Sequence, residues 1–509
     1  MKRLLFALLL LLLLSAPDAW GTTWVCGSDA DMDSAIAGLA AADTIVVAGS
    51  WTSDAEYNVN KAGVTVNSTS PGNIILHGPA ATGSVLKLTS TGITVTGFTI
   101  DGNKANKTSG QPITITGSGC TVSYMVLKDG FNYDLQVSGT GGNNIRYNIF
   151  MTPGGIGILK TTYGDCVRIN TGSGNNIVEY NMFYGDTAGA CGVFNNSAPS
   201  NTIRHNGFYD ICRVPVEIYG VASSGASVEW NTMDHWGLDA DSNGVTIRAA
   251  NCGVRFNCMR QSADTGFAIW GVEFTGGANA CDGSIAEYNL IGGGHINRGF
   301  GGGGSSVTIR RNYIEAKDKC IYQENCSPIE VSYNHMRAAC GAGERGVELH
   351  SNAAGARIAN IFNNTLLDAD TTECGFFLNE TTGTWSQVNF RGNVAVGFGT
   401  GLLVEGTVLT HTNNLYNGNS ADISLGGAGH ALDPTETATD PKLGSDGRPL
   451  AGSPAIDAGY DWGQVCDSAG TPIRGRAWDI GAYEFRRSPL RCPPNGVASW
   501  PSHRPVGGF

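Results

Sequence analysis

The segment NTMDHWGLDADSNGVTIR (231–248) is the densest concentration of chemistry-bearing side chains in the chain. Asp234, His235, Trp236, Asp239, Asp241 and Asn243 fall within ten residues, and Arg248 follows on the next strand. A pair of carboxylates can serve as acid and base across a glycosidic bond. The same oxygens suit a hard cation, so Asp239 and Asp241 are the candidate ligands for Ca2+. His235 can relay a proton near neutral pH. Arg248 can bind a carboxylate or a developing anion. Trp236 and Trp270 offer flat apolar faces for sugar rings. Asp and Asn also cap turns for local reasons, so the loop gains chemical meaning only where other groups converge on it.

What must position these groups is a repeat. NNIRYNIF (143–150), NNIVEYNMF (175–183), NTIRHNGF (201–208) and eight looser copies place an Asn at 148, 181, 206, 231, 257, 289, 312, 334, 364, 393 and 414. The first and last are 266 residues and ten steps apart, a mean period of 26.6. A period of this size marks a stacked solenoid. Each unit reads as three short β-strands: one after a Gly or Cys (CVRIN, PVEIYG, GVTIR, GVEFTG), the ladder strand, then Asn and a third strand. The Asn is expected in a left-handed turn, which its short side chain tolerates, with its amide bonding to the next coil. A leucine-rich repeat also carries Asn, but its Leu spacing and helical segment are absent here.

Alternation of period two sorts the first strand of each coil into inward and outward residues. Arg168, Glu217 and Tyr219, Thr246 and Arg248, Glu273, Tyr322 and Glu324, and Glu348 and His350 all face out. They form one outer column, whereas the outward residues of the ladder strand (Arg146, Glu179, Arg204, Glu229) read as a scattered mix. The column reads as a binding face with Arg168, Glu217, Tyr219, Trp236, Trp270, Glu273, Glu348 and His350 on substrate and Asp234, His235, Asp239, Asp241 and Arg248 as the reactive set. Alternating Glu and Arg would also arise from cross-strand pairing alone.

On this repeat and strand pattern, residues from about 60 to 425 resemble the right-handed parallel β-helix of the pectate-lyase-like superfamily. The resemblance implies an all-β solenoid (60–428) of some fourteen coils, about 65 Å long at about 4.8 Å per coil. It also implies a helical N-terminal cap (22–59), carried by DMDSAIAGLAAADTIVVAG, and a substrate cleft over the first sheet. The superfamily contains lyases, hydrolases, epimerases and adhesins, so fold alone does not set the reaction. The Asp-Asp, Gly-His-Gly and Arg-Ile-Lys signatures of polygalacturonases are missing, as is the Lys-Ser strand signature of alginate and chondroitin lyases. No Lys occurs from 161 to 316, which removes a lysine base from the central face. SPAIDAG and DIGAYE, between 429 and 485, resemble the module called choice-of-anchor Q, here expected to cap the last coil; a tail (486–509) follows.

Other features bound the setting. MKRLLFALLLLLLLSAPDAWG (1–21) reads as a secretory signal peptide, its apolar run too short for a span of about 20 residues. No later stretch is apolar enough to cross a bilayer. Fourteen Cys in an exported chain favour disulfides, with Cys252, Cys281 and Cys326 before ladder strands and Cys166 with Cys191 before first strands as the stacked candidates. The net charge of −12 argues against nucleic acid, and mildly against a polyanion unless a cation bridges the two. The expectation is a monomeric, secreted or cell-surface protein whose partner is an extracellular polysaccharide. It is either a hydrolase or lyase, or a non-catalytic adhesin or glycan-binding rod.

Overall fold

The computed structural model describes residues 21–78, 82–106, 109–151, 164–185, 191–237, 242–262, 265, 268–275, 280–304, 306–338, 345–352, 356–368, 374–380, 383–406, 409–426, 428–459 and 479–483. The expected signal peptide and the final tail fall outside them, apart from Gly21. Short strands stack into three sheets of 16, 16 and 15 strands, and each coil gives one strand to each sheet in turn. Sheet neighbours are therefore one coil apart, and the chain forms a right-handed parallel β-helix. Inward positions carry Val, Ile, Leu and Phe in files, such as Phe150, Phe183 and Phe208 with ring centroids 4.9 and 4.6 Å apart. The solenoid starts early: Thr23–Cys26 already pairs in parallel with Thr44–Val47 in the ladder sheet. Between them the helix Asp29–Gly38 is capped by Ser28, whose hydroxyl accepts from the Asp31 amide, and buries Met32 and Ala35.

The eleven asparagines are buried and form one continuous amide ladder. Ten Nδ2–Oδ1 bonds of 2.9–3.2 Å run from Asn148 to Asn414. Each amide also donates to a main-chain carbonyl of a neighbouring coil, as Asn231 does to Ile203 at 2.9 Å. The expected left-handed turn is present but one residue earlier. Tyr147, Tyr180, His205, Trp230, Phe256 and Tyr288 carry φ of 55–58°, whereas the ladder Asn residues do not. This corrects the sequence reading. The Asn side chain must point into the turn to meet both neighbours, so the preceding residue takes the strained conformation. Those rings project outward and, with Tyr124, stack in one file at centroid spacings of 4.2–6.2 Å. Stacking offsets part of the backbone cost.

The outward residues of the ladder sheet are also ordered rather than scattered. Glu179, Arg204, Glu229, Arg255, Glu287 and Arg310 occupy one register file with alternating sign. Ion pairs of 2.8–3.4 Å link Glu179 to Arg204, and Arg255 to both Glu229 and Glu287, which also holds Arg310.

The expected cysteine pairings do not form. Val167 is level with Val193, which sets Cys191 opposite Asp165 rather than opposite Cys166. That one-residue offset sends Cys166 into the core and Cys191 to the outer face. Cys252 and Cys281 remain thiols that donate to carbonyls of the surrounding turns, Cys252 to Ala250 at 3.5 Å and Cys281 to Ile247 at 3.0 Å. Cys326 donates to the Gln323 side chain at 3.2 Å. Burial pushes these thiols up to about 11, 12 and 12 respectively. Cys258 is disulfide-bonded.

The C-terminal end is closed in each sheet. Ala428–Gly429 pairs antiparallel with Ala421–Leu425, Thr437 bridges to Leu415, and Glu436 accepts from both His411 and the last ladder amide, Asn414. Beyond this the chain lies back over the third sheet. Ala455 and Ile480 join the two motif segments through a 2.8 Å main-chain bond, and the Asp457 amide donates to Asp479. Gly481, Ala482 and Tyr483 then reach Gly392, Thr365 and His335, the last of these three coils before the final one. The segment is therefore a strap as well as a cover for the last coil.

Replacing Asn231 by Ala would strand a buried acceptor and two donors on its neighbours. The expected loss is about 1–3 kcal/mol by chemical denaturation, against less than about 0.5 kcal/mol for the outward Arg146→Ala. Native protein is expected to leave Cys252, Cys281 and Cys326 unlabelled by a maleimide that labels them after denaturation.

Candidate functional site

Parallel pairing keeps residues of equal offset in straight files across coils. Phe194 is level with Glu217, Glu217 with Thr246, and Thr246 with Glu273. All lie on the outer face of the first sheet, because the flanking Val216, Ile218, Val245, Ile247, Val272 and Phe274 fill the core. Arg248 lies just beyond the strand end and folds back, its Nε 3.5 Å from Glu217 and its guanidinium 5.3 Å from the Tyr219 ring. Glu217, Tyr219, Thr246, Arg248 and Glu273 of the sequence-derived column thus come together in neighbouring coils.

Outward carboxylates of this face are buried or half-buried all the same. Glu217 is 2% exposed, packed against Arg213, Arg248 and the Cys191 thiol, which donates to it at 3.6 Å. Glu273 accepts from Asn243 at 2.7 Å. Burial pushes its carboxyl above the usual range, and the nearby Glu217 adds to this while Arg248 opposes it. Asp165 holds Arg168 at 2.9 Å, yet burial raises its carboxyl to about 6. Arg168 lies between the rings of Tyr133 and Phe194 at 5.2 and 4.4 Å. Tyr219 stacks on Phe194 at 5.7 Å and is 41% exposed, the most open ring of the cluster.

Further along the same face, Trp270 stacks beneath Arg298 at 4.7 Å. Glu348 is 3% exposed and gathers Arg345 at 2.6 Å, Lys319 at 3.3 Å and His350. Burial opposes its ionisation, but His350, Lys319 and Arg345 together hold its carboxyl down at about 2.

Other predicted residues lie elsewhere. Asp234 and His235 belong to the third sheet, where Asp234 is level with Tyr209 and Arg260, and His235 contacts Asp210. Trp236 does not offer a ring to solvent: it is 0% exposed, in the core, level with Ile211. The reason is local. His235 has φ of 58°, which breaks the alternation and turns the next side chain inward, as Asp210 does for Ile211. Asp239 and Asp241 lie outside the described residues. Among the described residues, no group of three or more His, Cys, Asp or Glu could hold a metal ion, and no helix is long and apolar enough to cross a membrane.

Sequence reasoning missed Asp165, Cys191, Arg213, Arg298 and Lys319. The period-two rule assigns Asp165 to the inward face of Val167, but Cys166 and Val167 both enter the core, so the alternation breaks there and Asp165 turns outward to Arg168. Arg298 begins RGFGG (298–302), a strand whose glycines erase the alternating signal.

No family model and no curated protein matches the chain. Similar solved structures include a mannuronic acid specific polysaccharide family 6 lyase from human gut microbiota, at 12% identity over 72% of this chain and 89% of that one, TM-score 0.46. A tailspike protein mutant of E. coli bacteriophage HK620, in complex with a pentasaccharide, matches at 11% identity over 78% and 74%, TM-score 0.48. A surface adhesin of Streptococcus pneumoniae matches at 13% identity over 72% and 88%, TM-score 0.42. These values are too low to carry an argument about the reaction, which has to be read from the face itself.

The depressed Glu348 carboxyl sets a pH dependence. A group whose folded pKa lies below its unfolded value stabilises the fold above the unfolded value, and that contribution is lost as pH falls through the folded one. Glu348→Gln is therefore expected to lower the melting temperature near neutral pH, with the difference from the parent closing as pH drops from about 4 towards about 2. Asp165 has the opposite sign. Its raised pKa makes the parent lose stability as pH rises from about 4 through about 6, and Asp165→Asn should flatten that slope.

Proposed function

We propose that this protein is a carbohydrate-active enzyme that cleaves a glycan laid along the outer face of the first sheet, with Glu273 and Glu217 as the reacting carboxyl groups. The observation that carries this reading is the register file Glu217–Thr246–Glu273 with Arg248 folded against it. Two coils separate the carboxylates, about 10 Å at the backbone. A separation of that order suits an acid and a base with a water between them, the inverting geometry of glycoside hydrolysis.

Their surroundings divide the roles. Glu273 has its carboxyl raised by burial and the Glu217 charge, so it is the proton donor to the leaving oxygen. Glu217, against Arg213 and Arg248, is the base that activates water. Tyr219 and Trp270 supply ring faces to sugars. Hydrolysis is favoured over β-elimination because the nearest strong base on the face would be Arg248, and a guanidinium does not deprotonate in a protein. Trp236 has no part in this reading, and Asp234 and His235 lie on a different sheet from its carboxylates.

The setting follows from the same proposal. The signal-like N-terminus fits export to an extracellular or cell-surface glycan, and the C-terminal segment fits a choice-of-anchor-Q-like module acting here as a strap. The alternative, a non-catalytic glycan-binding rod, is favoured by one observation: each acid of the face is already engaged by a cation, an amide or a thiol.

Reducing-end release across a glycan panel separates the two. Activity on at least one glycan is expected, falling by about 100-fold or more in Glu217→Gln and Glu273→Gln, with no ultraviolet-absorbing unsaturated product. Retention of glycans with no turnover would establish the binding rod instead.

A further inference from the structure

Resting on the glycan-cleaving reading, we infer that Arg298, Lys319 and Arg345 form an anion subsite that receives a carboxylated or sulfated sugar one to three units from the bond cleaved.

The first argument is a contrast within the molecule. Arg298 is level with Lys319, and the match of Ile321 with Val347 sets Lys319 level with Arg345. Three cations therefore occupy one file in three successive coils. Like charges directly opposite destabilise a sheet. The ladder sheet avoids this by strict alternation, Glu179, Arg204, Glu229, Arg255, Glu287 and Arg310. The outer face of the first sheet breaks the same rule at the position where a ligand would lie.

The second argument is the local charge count. Asp318 and Glu348 serve all three cations: Arg298 at 3.4 Å and Lys319 at 3.8 Å from Asp318, Lys319 at 3.3 Å and Arg345 at 2.6 Å from Glu348. Among the described residues, Glu324 is a further acid nearby and is taken by the Tyr322 hydroxyl. Among the described residues, two guanidinium groups and one ammonium thus share two carboxylates.

The third argument is preorganisation. Arg298 is clamped between Trp270 and Tyr322 at 4.7 and 4.5 Å, and Arg345 lies over Phe377 at 3.7 Å. Rings on its faces fix a guanidinium plane and leave bidentate recognition to its edge. Their side chains are 23% and 32% exposed, within reach of solvent.

Position supplies the rest. The Arg298 strand is the coil after Glu273 and the Arg345 strand is three coils after it, so the cations lie about 5 to 14 Å beyond the proposed acid along the rod. A coil rise is about the length of one sugar, which gives the one-to-three-unit offset. The like-charge file lies on one side of Glu273 only; on the other side Arg168, Arg213 and Arg248 are each paired with Asp165 or Glu217. An acidic glycan would bind in one direction only, despite the overall charge of −12.

Binding to the Glu273→Gln protein tests this without turnover, using size-matched neutral, uronate-bearing and sulfated oligosaccharides in calorimetry at low and high salt. An acidic ligand is expected to bind about tenfold or more tightly than the neutral one, with the advantage shrinking as salt rises. Lys319→Gln and the milder Arg298→Lys should each remove most of that advantage while leaving neutral affinity unchanged; melting curves identify any variant that fails to fold. Uronate against sulfate names the anion. Equal affinity for neutral and acidic ligands, or equal losses for both in the variants, overturns the subsite. Turnover of neutral glycans by the parent would then leave the hydrolase reading standing. Acid-selective binding with no turnover of any glycan by the parent would do the reverse, and no binding of any glycan would overturn the subsite outright.

Discussion

Everything in this molecule depends on one spacing, the coil rise that lets main-chain and amide hydrogen bonds run from each turn to the next. The asparagine ladder is its clearest expression. Eleven buried amides bond in series, and each also satisfies main-chain carbonyls at the turn. Every other file inherits that register. The phenylalanines stack inside, the rings of Tyr147 to Tyr288 stack outside, and the charges of the ladder sheet alternate because a fixed rise puts equal offsets opposite each other. A side chain one coil away in sequence becomes a neighbour, which is how Glu217, Arg248 and Glu273 meet.

The register also explains how a rod can hold a site with buried acids. The outer face of a sheet is ordinarily wet, yet Glu217 and Glu348 are nearly inaccessible. Glu217 is covered by Arg213, Arg248 and the Cys191 thiol, and Glu348 by Lys319, Arg345 and His350. Such a network is costly to build halfway, since a buried polar group without a partner loses its full hydration. Glu348 and Glu273 differ in outcome. His350, Lys319 and Arg345 hold the Glu348 carboxyl down, while burial lifts that of Glu273. One strand pattern produces opposite protonation tendencies because the neighbouring coils differ.

Much of this was legible in the sequence, and the failures have physical causes. The period of the Asn phrase and the alternation within CVRIN, PVEIYG and GVEFTG led directly to three strands per coil and to a common face for Arg168, Glu217 and Glu273. Alternation failed wherever a left-handed residue intervened. His235 turns Trp236 inward, and the ladder turn uses the residue before Asn rather than Asn itself. It failed again where neighbouring coils differ by one residue, which separates Cys166 from Cys191. The cation file stayed hidden because Arg298 opens a strand made mostly of glycine, and because like charges in adjacent coils are invisible until the register is known.

The strap has a mechanical consequence. In a stack where each coil touches only its neighbours, loss of structure can begin at either end and spread inward. Tyr483, Ala482 and Gly481 tie three successive coils together, up to the one before the last, through His335, Thr365 and Gly392. Those coils can open only as a block, so fraying should start from the helix-capped end and the two halves of the rod should differ in hydrogen-exchange lifetime.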